Sequence, residues 1–191
     1  MHPVLQWFDD LPHSTLEDTA SAVLKVQVYC GPTLPMHLIV HGLGIWRMNK
    51  SVDDPEGRVA VMQELAKGST TSSWAFQFGA PMHGAVWHVL TTYGNLHDGQ
   101  WWALVDDLCD FVQMRSAVSI SCVHGVGHGA FQSILVRGRL LAYSVSKQLS
   151  PKSRLNTVQG ESLSEALDRC ENEAPSKQHA VICAEGVFDV L

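Results

Sequence analysis

The stretch Cys122-Val123-His124-Gly125-Val126-Gly127-His128 has a shortened echo 61 residues later in Cys183-Ala184-Glu185-Gly186-Val187. Each leading cysteine is preceded at a distance of 13 residues by another, Cys109 in one case and Cys170 in the other. The two copies share Cys, Gly and Val and trade a histidine for a glutamate, which keeps a metal-ligand residue type.

The same register runs backwards without cysteines. His83-Gly84 lies 41 residues before His124-Gly125, and His41-Gly42 lies 42 residues before His83-Gly84. The flanking text agrees in part: Val40-His41-Gly42-Leu43-Gly44 parallels Val123-His124-Gly125-Val126-Gly127, and Asp107-Leu108-Cys109-Asp110 parallels Asp168-Arg169-Cys170-Glu171. Four degenerate copies with a period near forty predict an array of helical hairpins, in which no unit buries its apolar face alone and neighbours must stack. The expectation is therefore an all-α or mostly α fold forming one domain over residues 1–191, with an irregular insertion at 150–160 that lengthens the last interval.

Helix signals support this reading. Ser14-x-x-Glu17 opens a candidate helix over 14–26, and a second candidate runs from Pro35 to Asn49. Residues 57–67 form the clearest helical pattern, closed by Gly68 and followed by a Ser/Thr-rich loop at 69–73. Pro81 opens the next element, which extends to Leu90. Asn95 to Gly99 reads as a turn and Gln100 to Met114 as an amphipathic helix. Ala117 to Val123 suits either a short buried strand or the start of the long helix expected from Gly125 to Leu149. Ser162-x-x-Glu165 then predicts a helix start at Ser162.

Composition narrows the function classes. With 46% hydrophobic and 17% charged residues the 191-residue chain builds a sizeable core. Its net charge of −6, with no Lys/Arg cluster, speaks against a nucleic-acid partner, and no apolar run is long enough for a membrane span. The first ten residues lack the pattern of a signal peptide, and the register places the last residues at the start of a helix, which predicts a piece of a longer chain. Paired as Cys109–Cys122 and Cys170–Cys183, the four registered cysteines make two disulfides and favour an oxidising, secretory or extracytoplasmic compartment. Cys30 matches no slot.

The repeated column His41, His83, His124 and Glu185 offers one potential ligand per copy, and stacking brings equivalent positions together. Three imidazoles and a carboxylate suit zinc, iron or manganese. The competing explanation is that each His-Gly merely packs at a helix contact, in which case the domain is a metal-free interaction module for a protein partner. Four residues on, the column reads Ile45, Trp87, His128 and Asp189, so His124 and His128 share a helix face, as do His37 and His41. In a reducing compartment Cys109, Cys122, His124 and His128 would instead form a closed structural zinc set. The six tryptophans, Trp7, Trp46, Trp74, Trp87, Trp101 and Trp102, are expected mostly in the core.

Leu38-Ile39-Val40-His41-Gly42-Leu43-Gly44 resembles the strand-to-loop turn that supplies the oxyanion hole in α/β-hydrolases. That resemblance implies a nucleophile elbow, for which the nearest text, Gly160-Glu161-Ser162-Leu163-Ser164, lacks the final glycine. It stands as a remote alternative.

Overall fold

Helices arise wherever the His-Gly motifs fall. In the computed structural model, which describes residues 36–71, 79–93, 100–109, 117–145 and 151–189, the elements are α1 (Met36–Asn49), α2 (Pro55–Thr71), α3 (Ala80–Thr92), α4 (Gln100–Cys109), α5 (Ala117–Val145), α6 (Pro151–Glu173) and α7 (Lys177–Phe188). Among the described residues there is no strand. The candidate helix at 14–26, Cys30, Trp7, Trp74 and the turn at 95–99 lie outside them.

Several boundaries differ from the sequence expectation. Gly68 does not close α2, which continues to Thr71, because the Ser/Thr residues that follow are only mildly unfavourable in a helix. Ala117 to Val123 is the first part of α5, helix rather than strand, with Val123 buried in the core and Ile120 exposed. The stretch expected to be an irregular insertion at 150–160 is helical from Pro151 onward; proline opens α6, where its missing N–H costs nothing. Ser162 is consequently a buried residue inside α6 and not a cap. At the other end, α7 closes at Phe188 with Asp189 as its cap.

The odd-numbered helices form a row, α1 against α3, α3 against α5 and α5 against α7, while α2, α4 and α6 cover it. Glycines set the closeness of that row. A Cβ on Gly44 would fall onto the backbone carbonyl of Pro81, and one on Gly84 onto the carbonyl of His41. The α5–α7 crossing repeats the arrangement: Gly127 meets the carbonyl of Cys183, and Gly186 meets that of His124. Helix-interior glycine costs about 1 kcal/mol relative to alanine. Here that cost is offset by backbone approach that any side chain would prevent.

The core between the layers holds Leu43, Met48, Leu65, Met82, Trp101 and Phe131, all essentially inaccessible. Trp46 and Trp102 are buried as well. The disulfides Cys109–Cys122 and Cys170–Cys183, with Cα–Cα distances of 5.4 and 5.5 Å, tie α4 to α5 and α6 to α7. Arg169 joins two cover helices, α6 and α4: its guanidinium lies 4.6 Å from the Trp101 ring centre and pairs with Glu165 and Glu173 one turn away on either side. No helix among the described residues is long and apolar enough to cross a membrane.

Candidate metal centre

Close backbone packing in the inner row draws histidines from three helices together. His41 of α1, His83 of α3 and His128 of α5 each present a ring nitrogen, and these nitrogens all lie within 4.8 Å of one another. All three residues are buried, His41 at 1%, His83 at 3% and His128 at 0% exposure. Ring centres are 5.5 Å apart for His41 and His83, 5.0 Å for His41 and His128, and 5.4 Å for His83 and His128. Trp87, one turn after His83, closes one side, its ring 6.0 Å from His41 and 6.3 Å from His128.

One ring has its tautomer fixed by its surroundings. His128 Nδ1 lies 2.6 Å from the carbonyl oxygen of Gly186. A carbonyl can only accept, so the proton resides on Nδ1 and the lone pair on Nε2. Metal-binding histidines are oriented in this way by their outer nitrogen.

The column read from the sequence is thus regrouped. His41 and His83 belong to the cluster, and α5 contributes His128 to it. His124 sits beside the group, its ring centre 4.6 Å from that of His83 and 4.7 Å from that of His128, with Nε2 3.1 Å from the Asp189 carboxylate. Glu185 is exposed and lies outside the group. The reason is helical phase: Gly186 is the residue that α7 turns toward His124, and the neighbouring position projects about 100° away around the helix. The Trp87 wall and the Asp189 partner were not singled out as site members from sequence. Both occupy the column four residues after the His-Gly motif, which was their available signal.

Two other expectations are settled by the fold. Cys109 and Cys122 are consumed in a disulfide, so they cannot be the thiolates of a Cys/His zinc set with His124 and His128. The Leu38–Gly44 segment is helical, and with Ser162 buried in α6 the α/β-hydrolase alternative has neither its strand-to-loop turn nor an accessible nucleophile. His37 falls in α1, but its side chain is outside the described residues. A further buried histidine, His179, serves the start of α7: Ser176 accepts from its backbone N–H, and its Nδ1 lies 2.6 Å from the Ser176 hydroxyl.

Chemically, three buried imidazoles on three helices can hold a transition-metal ion. Were the nitrogens at the 4.8 Å limit, an ion at the centre of their triangle would be 4.8/√3, or about 2.8 Å, from each. Zinc–imidazole bonds are roughly 2.0–2.1 Å, a difference that modest side-chain rotation closes. Compared with protein-family models, with curated proteins and with solved structures, the chain matches none.

Proposed function

We propose that the domain is a transition-metal-binding helical array, with His41, His83 and His128 as the ligands and zinc as the ion. The observation that carries this reading is the convergence of three buried ring nitrogens within 4.8 Å. The group contains neither carboxylate nor thiolate. That weighs against manganese, which prefers oxygen, and against iron held by two histidines and a carboxylate, and leaves zinc, with copper its strongest competitor. Three protein ligands leave a tetrahedral ion one position for water or a small ligand, as in zinc centres that activate water.

The repeat contributes the geometry. The paired glycine crossings at α1–α3 and α5–α7 support two copies of one helix pair, and the site takes His41 and His83 from the first pair and His128 from the second. The disulfides brace two of the three cover helices, α4 and α6, and favour an oxidising compartment. The test is metal content by plasma mass spectrometry and zinc titration of the oxidised protein. One zinc per chain is expected, lost in His83→Ala and in His128→Ala. A folded, disulfide-bonded wild-type protein that takes up no zinc or copper contradicts the reading. That result would favour a metal-free interaction module instead, for which the exposed Val181 and Phe188 on α7 offer a contact face.

A further inference from the structure

The three triad histidines are almost inaccessible, so an ion must reach them through something else. His124 is the least buried imidazole of the four, its side chain 15% exposed, and it contacts the rings of both His83 and His128. Asp189, to which it is tied, is 59% exposed. Carboxylate, His124, then His83 and His128 form a continuous series from solvent to the buried group.

We infer that Asp189 and His124 are the loading station through which a divalent cation passes to the buried triad. This rests on the metal reading above. Asp189 supplies the negative charge that the triad lacks and that attracts a hydrated cation. His124 supplies a first nitrogen ligand, which hands the ion to rings less than 5 Å away. The geometry suits exchange: His124 Nε2 is held by Asp189, an interaction at a largely solvated carboxylate that is weak enough to break. Asp189 is itself placed by the end of α7, where its backbone N–H donates to the Glu185 carbonyl, so its position does not depend on His124. The chain's net charge of −6 adds a general attraction for cations.

A loading station changes rates, whereas a residue that only orients a ligand changes affinity. Stopped-flow zinc uptake and chelator-driven release are therefore measured on oxidised wild-type protein, Asp189→Asn and His124→Gln, with equilibrium affinity determined for each. Uptake and release should both slow by roughly tenfold in each variant, the scale of electrostatic steering, while affinity stays within about threefold of wild type. Unchanged uptake in both variants overturns the inference while leaving the triad intact. Affinity lost wholly through faster release also overturns it, making His124 an orienting group. Wild-type protein that binds no zinc removes the triad reading itself, and the loading station with it. The Asp189→Asn variant retains the backbone contact to Glu185, and if His124→Gln disturbs packing, Asp189→Asn alone decides.

Discussion

Gly84 and Gly160 both lie inside helices, yet alanine has opposite consequences at the two positions. At Gly84 the new methyl group would strike the His41 backbone carbonyl, which cannot yield without moving α1 away from α3. Overpacking of this kind costs roughly 1–3 kcal/mol, and Gly84→Ala should also weaken zinc binding, because it displaces the helix that carries His41. At Gly160 an added methyl group meets none of the described atoms beyond its own helix turns within 4 Å, so Gly160→Ala should stabilise by up to about 1 kcal/mol through helix propensity alone. Urea denaturation of the two variants checks the pair, and equal effects would mean the inner row is looser than described. A third residue carries a pH dependence. Burial lowers the pKa of His88 below the ordinary 6.5, so below that pH the unfolded chain binds the proton more readily than the folded one. Its contribution to stability is constant above pH 6.5 and declines as the pH falls below it. His88→Gln should reduce that decline, as read from melting temperatures between pH 5 and 8.

At the scale of elements, α5 carries most of the design, since it contacts α3 on one side and α7 on the other and is disulfide-linked to α4. Much of this was legible beforehand. The His-Gly motifs lie in three of the four inner helices, α1, α3 and α5, while α7 carries Glu185-Gly186, and the equally spaced cysteines are the disulfide partners. Helical phase was not legible from spacing. His124 and His128 are one turn apart on a shared face, and only the docking of Gly186 against α5 decides that His128 enters the triad while His124 turns to Asp189. The 61-residue interval suggests an irregular insertion at 150–160, yet the extra residues from Pro151 onward are helical, since a longer interval fixes length and not conformation. Removing the α6–α7 link should show how far the cover holds the row in place. The double variant Cys170→Ser/Cys183→Ser is expected to lose about 3 kcal/mol on the loop-closure account, measured as a lower denaturation midpoint. No loss would mean the fold holds that geometry without the bond.

For the whole molecule, binding and stability are linked. An ion shared by α1, α3 and α5 binds the assembled row and not the unfolded chain, so zinc at a hundredfold excess over its dissociation constant should add about 2.7 kcal/mol. Calorimetry should accordingly show a higher melting temperature for wild-type protein with zinc and no change for His83→Ala. The claim beneath all of this is that three imidazoles from three helices surround one ion. X-ray absorption at the zinc edge of the loaded, oxidised protein tests it most directly. The account predicts three imidazole nitrogens at roughly 2.0–2.1 Å and one further light ligand. A spectrum with no imidazole scattering, or with zinc bound only by oxygen, would contradict it.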